Sequence, residues 1–188
     1  MVNRQHSDGI SSAAPQKRQK RALTIREMAI FAMLGAMMYC LKLVLEWAPN
    51  LHLTALFIIA MTVVWRAKAL IPVYIFVMLS GLFGGISVWW VPYLYIWAIL
   101  WGIIMLLPRR MPKKLAAVVY VVIGTLHGLM FGALCAPSQA LFWGLNFEGT
   151  LAWIAQGLYF DILHAAGNFA ACTLALPLIT LFKRLRKQ

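Results

Sequence analysis

Asp161, His164 and Asn168 stand at spacing i, i+3 and i+7 inside a long apolar segment that runs from about Leu151 to Phe182. On a helix that spacing gathers a carboxyl, an imidazole and an amide on roughly one face. Such groups can pass a proton to or from a reacting molecule, contribute to a metal site, or hydrogen-bond the polar edge of a bound ligand. They can also do no more than stitch helices together, at roughly 0.6–2 kcal/mol each. If the segment crosses a bilayer, Asp161 lies ~15 Å from its start at 1.5 Å per residue, near the midplane. An acidic group there costs roughly 2.5–3.5 kcal/mol on translocon scales, so it is expected to face protein or a water-filled cavity. His127, in the preceding apolar segment, starts ~18 Å from that segment's basic end. Antiparallel neighbours would place His127 and Asp161 at similar depth, as natural partners. Two imidazoles and a carboxylate at this spacing are a weak metal pattern, and no metal is expected.

What must position these groups is a membrane bundle. Of 188 residues, 63% are hydrophobic and only 12% charged, where soluble domains run at roughly 45–50% and 25%. Apolar segments at about 24–45, 51–65, 69–88, 89–107, 115–136 and 151–182 predict an all-α membrane protein with six transmembrane helices in one bundle. Residues 1–23 read as a basic, disordered cytoplasmic arm and 24–185 as the transmembrane domain. The second segment is short, ~22 Å against a ~30 Å hydrocarbon core, so either it begins within the preceding loop or that loop dips into the protein.

The net charge of +12 comes from 17 basic and 5 acidic residues. Their placement argues against nucleic acid as a partner. Every basic residue except Lys42 falls in one of four patches: the arm through Arg26, the Arg66/Lys68 turn, the Arg109–Lys114 turn, and the Lys183–Lys187 tail. The positive-inside rule puts all four, and hence both termini, on the cytoplasmic side of a multi-pass cell-membrane protein. Lys42 is expected to pair with Glu46 at i+4 or to snorkel outward. Cys40, Cys135 and Cys172 lack CxxC spacing and read as small buried hydrophobes.

Further patterns bear on packing and binding. Thr24-x-x-Glu27 is a capping box at a helix start. Gly124, Gly128 and Gly132 form a doubled G-x-x-x-G that lets another helix backbone approach closely. Ala29, Ala32 and Ala36 make a flat, small-residue stripe on the first helix, suited to internal packing or to docking on a second membrane protein. Trp90, Tyr93 and Trp97 belong to an aromatic run that reads as an interfacial belt or as a stacking wall, with Trp90 and Trp97 sharing a face. Trp47, Asn50 and His52 in the first external loop, and Gln139 and Trp143 in an expected loop from Pro137 to Thr150, are candidate recognition residues. GxxxxGK[ST], HExxH and GxSxG are all absent, so ATP hydrolysis by a P-loop is excluded.

Together these features resemble the substrate-binding S components of energy-coupling-factor (ECF) vitamin transporters. The resemblance spans about residues 24–185. It rests on six helices with both ends inside, the basic inner turns, the Ala32-x-x-x-Ala36 stripe, and two phrases. These are Gly81-Leu82-Phe83-Gly84-Gly85 leading to Trp89-Trp90, and Phe160-Asp161-x-x-His164-x-x-x-Asn168-Phe169. It implies a non-enzymatic, high-affinity binding subunit for a vitamin or similar micronutrient, without a cofactor of its own. The pocket would lie near the external face. The first-helix stripe would contact a transmembrane coupling protein driven by two cytoplasmic ATPases, which use the ATP, and the subunit would topple in the membrane to release its cargo. The Met-His start of nickel and cobalt members is absent. An intramembrane enzyme or a small secondary transporter using Asp161, His164 and His127 is the alternative reading.

Overall fold

The computed structural model describes residues 23–47 and 52–187. Among them the regular structure is all helical: α1 (Ile25–Val44), α2 (Thr54–Trp65), a 3-10 turn (Arg66–Ala69), α3 (Leu70–Gly84), α4 (Tyr93–Leu106), α5 (Lys113–Leu129), α6 (Phe131–Trp143), α7 (Phe147–Cys172) and α8 (Ala175–Lys187). The expected disordered arm lies outside the described residues except for Leu23, and so does Asn50.

Local chemistry explains where several helices start and stop. At α1 both bonds of the capping box form: Glu27 N donates to Thr24 Oγ1 at 3.1 Å and Thr24 N to Glu27 Oε2 at 3.2 Å. Asn146 caps α7 by accepting from Gly149 N at 2.8 Å, and Glu148 in the first turn complements the helix dipole. Gly144, at φ 62°, closes α6 in the left-handed conformation that glycine adopts without penalty.

Three helical runs are long and apolar enough to cross a membrane: Ile25–Val44, Thr54–Gly84 and Lys113–Trp143. Phe147–Cys172 and Ala175–Lys187, bent by 56°, make a fourth if taken together, and Tyr93–Leu106 is a shorter apolar helix. The Thr54–Gly84 run is folded back at Arg66, and α1 reveals this. Phe31 packs edge-on to Trp65 at 5.6 Å, while Met38 and Lys42 share a crevice with Leu53 and Phe57. α2 therefore runs antiparallel to α1. Lys68 pairs with Glu27 at 2.8 Å, and Phe83 stacks on Tyr39 at 5.7 Å, so α3 runs parallel to α1. Arg66 makes the reversal at φ 56°, ψ −123°.

α2 is the core of the molecule. All its residues but Val63 are buried, and it packs chiefly against α8 and α4. A helix that is apolar on every side belongs in the interior, which accounts for the brevity of the second apolar segment.

Several sequence expectations are corrected. Cys135 and Cys172 are buried as expected, but Cys40 is exposed on α1. The segment from Pro137 onward is helix through Trp143 rather than loop. Pro137 lacks an N–H and crowds the preceding turn, but side chains supply donors to the neighbouring carbonyls: Tyr95 Oη to Leu134 O at 2.7 Å and Ser138 Oγ to Cys135 O at 2.9 Å. Trp90 and Trp97 do not share a helix face, because Trp89–Pro92 form turns and α4 begins only at Tyr93. Of the two expectations for Lys42, the ion pair with Glu46 does not form, since α1 ends at Val44 and the i+4 geometry is lost.

Among the described residues, Arg26 and the three later basic patches converge on one end of the bundle, where Arg66, Arg109, Lys183 and Arg186 line one crevice. Lys68 meets Glu27, Arg26 Nη2 donates to Leu185 O at 3.0 Å, Arg66 Nη2 to Met105 O at 2.6 Å, and Arg186 Nη1 to Val64 O at 2.5 Å.

Candidate functional site

The site is built where α7 runs antiparallel against the α5–α6 pair. The three glycines of the doubled G-x-x-x-G lie directly beneath α7. A Cβ on Gly128 would stand 2.8 Å from Asn168 Nδ2 and 2.9 Å from His164 O, and one on Gly132 would stand 2.5 Å from Asp161 Oδ2. On Gly124 it would collide with Cys172 Sγ. The polar face of α7 thus beds into a strip of bare backbone, and the expected close approach is the one that seats the polar residues.

Two of those residues bond to that backbone. Asp161 Oδ1 accepts from Gly132 N at 2.9 Å, at the start of α6 where the α5 ladder has just ended at Leu129. It acts as a cap supplied from another helix. Asn168 Nδ2 donates to Gly124 O at 3.0 Å. The expected Asp161–His127 contact does not form. His127 Nε2 lies 3.4 Å from Ile96 O instead. A carbonyl only accepts, so this contact puts the imidazole proton on Nε2 and leaves Nδ1 an acceptor.

Around these groups is a cluster of rings. Phe131, the first residue of α6, is its hub, with centroids 4.6 Å from His164, 5.8 Å from Trp97, 6.3 Å from His127 and 6.5 Å from Tyr93. Trp97 lies 5.6 Å from His127 and 5.5 Å from Tyr93. Phe76 of α3 backs Tyr93 and Trp97 at 6.3 and 6.2 Å. His52, just ahead of α2, meets His164 edge-on at 5.5 Å.

Within this cluster Trp97 Nε1, His127 Nδ1 and Asn168 Oδ1 are buried and find no hydrogen-bond partner among the described residues. Native interiors rarely leave such atoms unmade, at about 1–3 kcal/mol each. They are one donor and two acceptors.

Of the candidate residues, His52, Tyr93, Trp97, His127, Asp161, His164 and Asn168 come together. The others lie elsewhere. Trp47 is exposed at the end of α1. Trp90 covers Gly81 and donates to Val77 O at 2.8 Å. Gln139 is wholly buried on α6, 3.4 Å from Val88 O, and accepts from the exposed Trp143 at 3.1 Å. Ala29, Ala32 and Ala36 are exposed on α1, with Gly35 turned inward against Pro72 and Ile75. Phe131 and Phe76 were missed by sequence reasoning. The one available signal was that Phe131 follows His127 by four residues, the spacing of a shared helix face. Among the described residues no group of three His, Cys, Asp or Glu side chains could hold a metal ion.

Comparison with protein-family profiles, curated proteins and solved structures finds no match to this chain.

Proposed function

We propose that this chain is the membrane-embedded binding subunit of an ECF-type transporter, holding a small heteroaromatic micronutrient for delivery to an ATP-driven coupling module. One observation carries the binding role: a ring-lined cluster at the heart of the bundle that leaves Trp97 Nε1, His127 Nδ1 and Asn168 Oδ1 buried and unpartnered. Flat rings between aromatic side chains and a few convergent polar atoms are how small-molecule sites gain affinity and orientation. Asp161 already serves Gly132 N, which turns the reading away from acid–base catalysis and towards binding.

Six crossings fit the helix directions: α1, α2, α3, α4, α5 with α6, and α7 with α8. On this reading the basic end is cytoplasmic, and the exposed Ala29, Ala32, Ala36 face of α1 is where the coupling protein docks. The two ATPases would supply the energy, and the chain itself would perform no chemistry.

The test is a thermal-shift panel of vitamin-class heteroaromatics against the purified protein, with mass spectrometry of whatever small molecule co-purifies. A ligand present at a hundred times its Kd adds ~2.7 kcal/mol, or about 5 °C or more in Tm for a chain of this size. A panel with no shift and no co-purified compound overturns the reading. Uptake by this chain alone, indifferent to ATP and collapsed by an uncoupler, would replace it with secondary transport.

A further inference from the structure

We propose that the basic end of the bundle contains a binding site for a phosphate-bearing anion, distinct from the ring cluster. Arg66, Arg109, Lys183 and Arg186 line one crevice of about 310 Å³ between the ends of α2 and α4 and the sides of α5 and α8, with Tyr120 on its wall and no acidic residue in its lining.

Two of the four cations are held in place by backbone. Arg66 Nη2 donates to Met105 O at 2.6 Å and Arg186 Nη1 to Val64 O at 2.5 Å, so each closes the carboxyl end of a neighbouring helix. Arg66 Nε remains buried without a partner. Arg66 is also the one non-glycine at positive φ among the described residues, at 56°, a conformation that persists only where the surroundings hold it and that clusters at functional positions. Arg109 and Lys183 make no hydrogen bond or ion pair with the described residues and are free to close on a guest.

Four like charges around one crevice repel each other, and an anion between them converts repulsion into attraction. Arginine forks match the paired oxygens of phosphate. Ile104 and Leu107 give the crevice an apolar side, so cations and hydrocarbon meet as they do at a membrane surface, where basic pockets between helices take lipid headgroups. A phosphodiester headgroup and free phosphate share this chemistry.

The experiment separates the two sources. Full-length protein in nanodiscs of phosphatidylcholine with or without phosphatidylglycerol is released for native mass spectrometry to read retained lipid. In parallel, inorganic phosphate is titrated in neutral detergent, with chloride at matched ionic strength as control and Tm as readout. Preferential retention of phosphatidylglycerol assigns a lipid headgroup, and a phosphate-specific rise in Tm assigns the soluble anion. The Arg109→Gln, Lys183→Gln double variant is expected to weaken the observed binding by about fivefold per cation removed. Its ligand-free Tm should be unchanged or slightly raised, because neither side chain bonds to the fold and two mutually repelling charges are removed. Equal retention of both lipids with no phosphate effect beyond chloride overturns the proposal, as does a double variant that binds like the wild type.

Discussion

Asp161 Oδ1 accepts the backbone N–H of Gly132 at 2.9 Å across the α6–α7 interface. The carboxylate is committed to an architectural task at the point where α5 gives way to α6. Asp161→Asn keeps an oxygen acceptor and is expected to fold with little loss, whereas Asp161→Ala leaves a buried N–H unmade and should cost about 1–3 kcal/mol. Unfolding titrations in mixed detergent read the difference. If Asp161→Asn folds normally yet no longer binds cargo, the carboxylate touches the ligand and the capping account is incomplete.

Gly128 tests the bed of bare backbone. Its Cβ would stand 2.9 Å from His164 O and 3.0 Å from Ala165 Cα, backbone atoms that cannot swing aside. Gly128→Ala is expected to destabilise by about 1–3 kcal/mol and to displace Asn168. Gly102 on α4 has nothing within 4 Å of its Cβ position, so Gly102→Ala should be neutral or gain up to about 1 kcal/mol in helix propensity. Paired Tm measurements showing the reverse order would refute the packing described for α7.

The unpartnered polar atoms test the binding role directly. Trp97→Phe retains a ring but deletes the Nε1 donor, and His127→Phe deletes the Nδ1 acceptor. Trp97→Phe leaves a small cavity in the buried cluster and His127→Phe gives up the 3.4 Å contact with Ile96 O, so each ligand-free protein should lose about 1–2 kcal/mol. Cargo affinity should fall about 5- to 100-fold, the equivalent of ~1–3 kcal/mol for one buried hydrogen bond. Isothermal titration of both variants with unchanged affinity would remove these atoms from the site.

Orientation is checked by single-cysteine labelling in sealed vesicles, in a background with Cys40, Cys135 and Cys172 replaced by Ala. Arg110→Cys and Lys187→Cys should react with a membrane-impermeant maleimide only from the cytoplasmic side, and Leu145→Cys only from the external side. Labelling of Arg110→Cys and Leu145→Cys from the same face would break the proposed crossing pattern for α5–α6.

Much of the framework was readable from residue order. Capping pairs act within a few residues, so Thr24 and Glu27 announced the start of α1 and formed both predicted bonds. The glycine row on α5–α6 and the polar row on α7 repeat at helical period, so each could be assigned to one face before any packing was known. That the Arg66/Lys68, Arg109–Lys114 and Lys183–Lys187 patches share one end also followed from segment lengths and charge placement. Pro137 misled because its local effect on a helix is unfavourable, while the bond that Tyr95 brings to nearby Leu134 O comes from 39 positions away in sequence, beyond the reach of any local reading.

Sequence alone thus determined an apolar chain that is helical across its described residues, and the polar face of α7 with the glycine row of α5–α6, because hydrophobic period, caps and charge are local properties. Only the tertiary structure decided which faces meet. It placed α2 at the centre, folded the chain back at Arg66, and brought His52 to His164 and Phe131 to four other rings. The physical reason is that ring clusters, unpartnered polar atoms and the basic crevice are created by contacts between distant segments. Such contacts are selected by the packing of the whole bundle and have no signature in any one stretch.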